Sequence, residues 1–550
     1  MARSLAVRIV IGCVFIVAAC GRSGATGGTL IVGAPTDPKK LFPPLYDEAT
    51  GQAISEVVYD KLADIGPALN TVGDAGYQPR LAERWEWSRD SLQITFHLDP
   101  RARWHDGAPV TAEDVRFALS VYLDPAVASP KASELADELD SITVRDSLTA
   151  VAWYKRRSAE QFHELVNNLV PLPAHLLRAI PRDSLATSGA VRALVGSGPF
   201  RLVRWEDGQF IELAATPDFY RGRAALDRVV FEIVKEPTTT FAKLYGGELD
   251  VVDQFPASEV AELRKHAALR LERAASFFYG YVAFNLYDGA SGRPHPVFGD
   301  RGVRRALTMA LDRDAMARSV FGEVGVAAAG PLTRSQWGYD PSLPSIPFDR
   351  AGAARALDSL GWHVGPDGVR TKGGRRLAFT LLVPATSKPR LQMATLMQDQ
   401  WKQVGVALDV SSLDPSALGP MVVKHEFDAF AGSFHVSPSP SGLRKTWGEL
   451  PEAGSGYNPG RYGSPAFLAQ VDSGIGAFQI PEAKRHFKAA LETVIADAPG
   501  IWLYEAPNLV AIAGRVRTPP LRPDAWWSNL ERWSFAPGAA PARAPSAKTP

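Results

Sequence analysis

The sequence predicts an α/β protein, and three local patterns carry this prediction. Residues 92–98 alternate between apolar and polar side chains, which is the two-residue period of a strand with one buried face. Thr111 precedes apolar residues at helical spacing, and Asp114 follows three positions later, a variant of the capping box that begins a helix. Residues 377–410 show a strand pattern, a helix pattern and a second strand pattern with short connections. Because such a β-α-β unit joins parallel strands, we expect parallel pairing there.

The first residues predict export. The apolar run at 9–19 has 11 residues, shorter than the ~20 needed to span a bilayer and typical of a secretory signal. It ends in VAAC at 17–20, which resembles a bacterial lipobox. That resemblance implies a signal peptide at 1–19, a lipid on Cys20 and a polar, flexible membrane tether at 20–28. The alternative is an ordinary secretory signal with an incidental cysteine.

The period and capping patterns predict the other elements in chain order. The predicted elements are a strand at 30–32, a helix at about 52–62, strands at 201–203 and 210–213, and helices beginning at Asp300 and Asp349.

The segment 536–550 is rich in alanine and proline and has few apolar anchors, so we expect a disordered tail.

Composition narrows the class of protein. The 550 residues suffice for two or three domains at ~150 residues each. The 60 basic and 59 acidic residues are nearly balanced and form no long basic run, which argues against nucleic acid as a partner. The sequence has two cysteines, Cys13 and Cys20, and loss of the signal peptide would leave one. We therefore expect no internal disulfide.

Signatures of catalysis and metal binding are absent from the sequence. It contains no G-x-S-x-G nucleophile elbow, no Walker A loop and no G-x-G-x-x-G fingerprint. His163 and Glu164 lack the second histidine of a zincin motif, and the ten histidines show no metal-ligand spacing. We expect a protein that is not an enzyme and that needs no cofactor or metal.

A run of motifs then points to a family. It consists of P-x-LAE-x-W at 79–85, F-x-L at 96–98 and W-HDG-x-PVTAEDV-x-F-x-L at 104–119. GSGPF at 196–200 and VRRALTMALDRDAM at 303–316 continue it. These motifs resemble those of the family 5 extracellular solute-binding proteins, the oligopeptide-, dipeptide- and nickel-binding receptors of ABC importers. The resemblance extends over roughly residues 29–533.

The resemblance implies a two-lobed, periplasmic-binding-protein-like fold of class II (cluster C) with an extra inserted subdomain. It also implies that the chain crosses between the lobes near Phe284 and Leu509, and that these crossings form a hinge. The parts would be lobe I (29–63, 196–283 and 510–535), the inserted subdomain (64–195) and lobe II (284–509).

Candidate ligand-binding residues come from aromatic positions and from one resembling motif. Aromatic side chains offer large contact area at low entropic cost, although plain core packing is the alternative for each of them. In peptide receptors of the family, D-x-x-x-x-x-W-x-x-D supplies an acid that pairs with the ligand's α-ammonium group. Here the motif begins at Asp428, and Phe434 and Ser437 take its later positions. The candidates are Tyr279, Tyr281, Trp337, Phe434, His435, Val436, Ser437 and Trp447.

No carboxylate occurs in residues 429–440, so the usual ammonium anchor is missing there. The anchor could come from another segment, the ligand could be N-blocked or cyclic, or it could be a non-peptide; we favour the last two. His435 could donate a hydrogen bond to a carbonyl group or an anion, or it could face solvent.

The function implied by the resemblance is capture of a peptide or peptide-like solute by an exported, lipid-anchored monomer on the periplasmic or outer side of a membrane. The partners implied are ABC permease subunits with their ATPase. The alternatives are a receptor for a sugar, a metal chelate or an anionic compound, a sensory lipoprotein, and a hydrolase that reuses the fold.

Overall fold

The computed structural model describes residues 27–538, apart from 47, 275, 290–291, 451–456 and 507. The predicted signal peptide, Cys20 and most of the predicted tail lie outside the described residues. The described chain is built on two large β-sheets, one for each lobe, and a smaller sheet in the inserted subdomain. Helices pack against all three sheets, which gives the two-lobed α/β fold.

The first sheet has seven strands and forms lobe I. Its central strand, Thr29–Ala34, pairs in parallel with Arg228–Ile233 on one side and Val251–Val252 on the other. The side chains of this strand are almost all apolar and buried, as expected for a strand that is covered on both faces. In spatial order the strands are Leu269–Ala274, Asn508–Ala513, Val251–Val252, Thr29–Ala34, Arg228–Ile233, Phe210–Ala215 and Phe200–Glu206.

The second sheet has five strands and forms lobe II. Ala378–Pro384 and Ala407–Leu413 pair in parallel and are joined by the helix Lys388–Lys402, which confirms the predicted β-α-β unit. Ala429–His435 is parallel to Ala378–Pro384 and antiparallel to Phe278–Phe284. In spatial order the strands are Ala407–Leu413, Ala378–Pro384, Ala429–His435, Phe278–Phe284 and Gly500–Glu505.

The inserted subdomain contains a four-stranded antiparallel sheet. Ala82–Trp87 and Gln93–Leu98 form the predicted hairpin. The indoles of Trp85 and Trp87 both donate a hydrogen bond to Asp74 Oδ2, at 2.8 and 3.1 Å, which fixes one face of the hairpin. In spatial order the strands are Ala82–Trp87, Gln93–Leu98, Thr149–Tyr154 and Leu139–Asp146.

The predicted helix caps are present. The Thr111 N–H donates to Asp114 Oδ2 at 2.8 Å, and Asp300 and Asp349 each accept a backbone N–H from the first turn of their helices at 2.7 Å. The helices of lobe I and the inserted subdomain are Ala49–Val58, Ala112–Tyr122, Ala132–Glu138, Gln161–Asn168, Ala174–Leu177, Gly189–Arg192, Pro237–Tyr245 and Val260–Leu263. Those of lobe II are Arg301–Met309, Arg313–Phe321, Arg350–Ser359, Lys388–Lys402, Pro415–Val423, Pro465–Gly476 and Ile480–Asp497.

Two lobe boundaries differ from the expected ones. Phe278–Phe284 pairs within the second sheet, so lobe I ends before residue 278 and not at 283. Asn508–Ala513 pairs with Leu269–Ala274 in the first sheet, so the chain returns to lobe I before residue 508 and not after 509. The reason is that backbone pairing with distant strands decides sheet membership, and the local pattern of each strand is the same in either sheet.

The inserted subdomain shares one hydrophobic core with lobe I. Phe96, Trp104 and Phe162 from the subdomain lie in the same buried cluster as Leu30 and Phe231 from the first sheet. This continuous packing joins lobe I and the subdomain into one packed unit. Within the described ranges, no helix has both the length and the apolar character needed to cross a bilayer.

Candidate ligand-binding cleft

A cavity of about 250 Å³ lies between the lobes. This is slightly below the range of roughly 300–1,000 Å³ that is common for small-molecule sites. Its walls come from the start of lobe I, from the inserted subdomain, from residues 435–438 of lobe II and from residues 522–525 near the C-terminus. A solute in this cavity would contact both sides of the cleft.

The lobe II wall is the segment that follows the strand Ala429–His435. The strand ends where His435 pairs with Phe278, and the chain then enters the cleft as His435, Val436 and Ser437. The Val436 N–H donates to Phe277 O at 2.7 Å, which fixes the direction of this segment. His435 is exposed at the mouth of the cavity, and desolvation by the surrounding walls lowers the pKa of its imidazole, which favours the neutral form.

The wall from the inserted subdomain presents neutral polar groups. His163 and Asn167 lie four residues apart on the helix Gln161–Asn168 and therefore share one face. His163 Nδ1 lies 2.8 Å from Tyr77 Oη, and burial lowers the pKa of His163 to about 4. These groups can exchange hydrogen bonds with a solute without contributing charge.

The floor of the cavity carries charges that are already paired. Arg522 contacts Asp64 at 2.8 Å and Asp524 at 2.5 Å, and Lys61 contacts Glu56 at 3.1 Å. Burial alone would raise the pKa of Asp64, but the positive charges of Arg522 and other cations outweigh it and hold the pKa low. The three carboxylates that line the cavity thus each have a cation of the protein as partner.

Three of the aromatic candidates pack in the core of lobe II. Tyr279, Tyr281 and Trp447 are each at most 2% exposed and belong to one buried cluster. Trp447 Nε1 donates to Tyr279 Oη at 3.0 Å, and the Tyr281 ring stacks on Phe434 at 4.9 Å between centroids. Their side chains do not line the cavity, which differs from the expected position in the cleft. The physical reason is that this face of the strand points toward the helices of lobe II.

The two remaining aromatic candidates also lie away from the cavity lining. Phe434 is partly buried against Tyr281. Trp337 reaches across the cleft, where its Nε1 donates to Thr71 Oγ1 of the inserted subdomain at 2.8 Å. Trp337 thus joins the two sides of the cleft.

Asp428, the first residue of the motif, has a structural role. Asp428 Oδ2 accepts the Thr380 N–H at 3.0 Å, and Asp428 Oδ1 lies 3.3 Å from His295 Nε2. This carboxylate fixes the beginning of the strand Ala429–His435 and does not line the cavity. Ser437, at the second acidic position, lines the cavity with a hydroxyl group.

The sequence patterns did not single out Tyr77, Asn167, Arg522 or Asp524, and they gave His163 no ligand-binding role. A weak signal was present, because His163 and Asn167 have the four-residue spacing of one helix face. Arg522 and Asp524 lie far from the other cavity residues in sequence and in no motif, so only the folded chain brings them together.

Comparisons with known proteins match this architecture. Residues 76–449 match the model for bacterial extracellular solute-binding proteins, family 5. The chain is 25% identical over 530 residues to the oligopeptide-binding protein AppA of Bacillus subtilis, covering 93% of this chain and 92% of that protein. It is also 25% identical over 523 residues to heme-binding protein A of Haemophilus influenzae, covering 90% of each.

A solved structure shows the same fold. NikA from Brucella suis, in complex with Fe(III)-EDTA, matches with a TM-score of 0.78 at 19% identity, over 92% of this chain and 100% of that one. The names of these three similar proteins refer to an oligopeptide, to heme and to an iron chelate. Similarity therefore fixes the fold and leaves the solute open.

Proposed function

Because this chain belongs to family 5 of the bacterial extracellular solute-binding proteins, we propose that it captures a peptide or peptide-like solute between its two lobes. It delivers the solute to the permease of an ABC importer, whose separate ATPase drives uptake, and it acts as a receptor and not as an enzyme. The observation that carries this proposal is the cavity whose walls come from both sides of the cleft.

Capture uses closure of the lobes. A solute that contacts His163 and Asn167 on one wall and residues 435–438 on the other binds the closed form better than the open form. That difference in affinity shifts the population toward the closed form. The closed form then presents the permease with a surface that the open form lacks.

The chemistry of the cavity favours a solute without a free ammonium group. The lining carboxylates Glu56, Asp64 and Asp524 have protein cations as partners, and the lobe II wall offers Ser437 where peptide receptors of the family have an acid. An N-blocked or cyclic peptide fits these neutral donors and acceptors. A non-peptide solute is the second candidate, and the same paired charges favour it.

The place of action follows from the N-terminus. The VAAC segment at 17–20 supports lipid attachment at Cys20 after export, with the folded chain on the outer side of the membrane. The monomer is tethered near its permease by residues 20–28.

Mass spectrometry of the solute released from denatured, freshly purified protein tests this function. We expect a peptide-like or other small compound, and calorimetry then measures its affinity. For a peptide that binds, N-acetylation should change the affinity less than about tenfold, or ~1.4 kcal/mol. A loss of a hundredfold or more would show an ammonium anchor and contradict the preference for an unanchored solute.

A further inference from the structure

Four side chains from the two sides of the cleft form one connected set of hydrogen bonds, called the latch here. They are Thr71 and Glu160 of the inserted subdomain and Trp337 and Ser439 of lobe II. Trp337 Nε1 donates to Thr71 Oγ1 at 2.8 Å, and Thr71 Oγ1 donates to Glu160 Oε1 at 2.5 Å. Ser439 Oγ also donates to Glu160 Oε1. Two of these hydrogen bonds cross the cleft.

Three of the four latch residues are buried, and Trp337 is partly buried. Thr71 is 0% exposed, Ser439 is 2% exposed and Glu160 is 8% exposed. In the part of the chain that the structure describes, the Glu160 carboxylate accepts hydrogen bonds from hydroxyl groups and has no cation as an ion-pair partner. Removal of a hydroxyl partner would leave this buried carboxylate poorly satisfied, and such groups carry a large free-energy penalty. The geometry is therefore sensitive to separation of the lobes.

The Glu160 carboxylate makes two opposite contributions to the free energy of closure. Burial raises the pKa of Glu160, which means that the closed surroundings disfavour its charged form relative to water. Closure thus gains hydrogen bonds and loses part of the carboxylate's hydration. These two contributions to the free energy of closure oppose each other.

The latch is connected to both cavity walls by neighbouring residues of the chain and by hydrogen bonds. Ser437 lines the cavity and lies two residues before Ser439. Gln336, which precedes Trp337, donates from Nε2 to the carbonyl oxygens of Ser437 at 3.0 Å and Ser439 at 2.8 Å. On the opposite side, Glu160 directly precedes the helix Gln161–Asn168 that carries the cavity residues. Movement of either wall therefore moves the latch.

We propose that the latch is a built-in closing device, which forms when lobe II meets the inserted subdomain and stabilises the closed cleft independently of the solute. The inference rests on the proposed capture of a solute by closure. It adds that part of the free energy of closure comes from the chain itself, through Glu160 and the hydroxyl groups of Thr71, Ser439 and Ser441 that bond to it.

Distance measurements between spin labels test this device. Arg89 in the inserted subdomain and Lys484 in lobe II are exposed, and both are replaced by cysteine for labelling after Cys13 and Cys20 are changed to serine. The protein is unfolded, freed of bound solute by dialysis and refolded. We expect the unliganded protein to show a substantial short-distance population, which represents the closed form.

Ser439→Ala and Thr71→Val should each lower the ratio of closed to open molecules at least tenfold. Thr308→Val is the matched control, because Thr308 is also a buried threonine, at 3% exposure, but its hydroxyl donates to Arg304 O within lobe II. It should leave the distances unchanged. Thermal unfolding of each variant confirms that it is folded.

Two results would overturn the latch. One is an unliganded protein that shows only the long distance, and the other is a pair of folded latch variants with the distances of the control. The proposed function is judged separately, by mass spectrometry of the solute that co-purifies. A bound solute together with unchanged distances would support the proposed function and contradict the proposed closing device.

Discussion

Replacement of Arg522 by methionine should destabilise the floor of the cleft. Its guanidinium donates to Asp64 Oδ2 and to Ile65 O, both at 2.8 Å, and makes a two-point contact with Asp524 at 3.0 and 2.5 Å. The side chains of Arg522, Asp64 and Asp524 are only 13%, 16% and 20% exposed. Methionine keeps much of the apolar stem but removes the charge and every donor.

The expected loss in the free energy of unfolding depends on which carboxylate loses its cation. Removing one member of a buried ion pair costs ~3–5 kcal/mol, because the other charge stays buried and uncompensated. Asp64 keeps Arg80 at 3.0 Å, so Asp524 is the group that is left without a cation. We therefore expect a loss near the lower end of that range, about 3 kcal/mol in the free energy of unfolding.

Urea unfolding monitored by circular dichroism measures this loss. Arg204→Met is the matched control, because Arg204 contacts Glu206 at 2.8 Å while 52% exposed, and such surface pairs contribute ~0–1 kcal/mol. The double substitution Arg522→Met with Asp524→Asn should recover part of the loss, since it removes the orphaned charge. If Arg522→Met and the control differ by less than about 1 kcal/mol, the assignment of a desolvated ion cluster to the cleft floor is refuted.

Three further predictions concern closure, binding and anchoring. The closed fraction should fall as pH rises from the ordinary pKa of a glutamate, because the raised pKa of Glu160 makes the closed form bind the proton more tightly. Glu160→Gln should flatten this pH dependence, measured as spin-label distances. Other titrating groups are present in both proteins: burial also raises the pKa values of Glu138 and Glu164, and the pKa of His435 is lowered. Asn167→Ala should weaken binding of the released solute about tenfold by calorimetry, or ~1.4 kcal/mol. Asn168→Ala should leave the affinity unchanged, because the Asn168 amide donates to Glu164 Oε2 at 2.9 Å and does not line the cavity. Equal effects of the two substitutions would contradict the cavity assignment. Cys20→Ser should move the protein to the soluble fraction or leave it held by an uncut signal, and normal processing with full membrane attachment would exclude the lipobox.

Local physics explains why many elements were predictable. The strand pattern at 92–98 and the caps at Thr111, Asp300 and Asp349 depend on contacts within a few residues. The structure contains the strand and the caps, although Leu92 is exposed and Thr95 is buried, so burial does not alternate strictly. The β-α-β unit was predictable for the same reason, because its parallel pairing follows from the length of the connection.

The candidate site was predictable only in part. Residues 435–437 were chosen because they lie in the motif that begins at Asp428, and they line the cavity. Tyr279 and Tyr281 were chosen because aromatic side chains suit a cleft, yet both are buried in lobe II. A strand pattern shows that alternate side chains share a face, but it does not show whether that face meets a core or a cleft.

The sequence by itself determined the fold class, the order of the elements and the membership in family 5, because repeated local patterns and motifs encode them. Only the tertiary structure decided that Phe278–Phe284 joins the second sheet, that Arg522 lies under the cavity and that Glu160 meets Ser439. Those contacts join residues tens to hundreds of positions apart. Their free energies come from burial and pairing in the folded chain, so no local pattern records them.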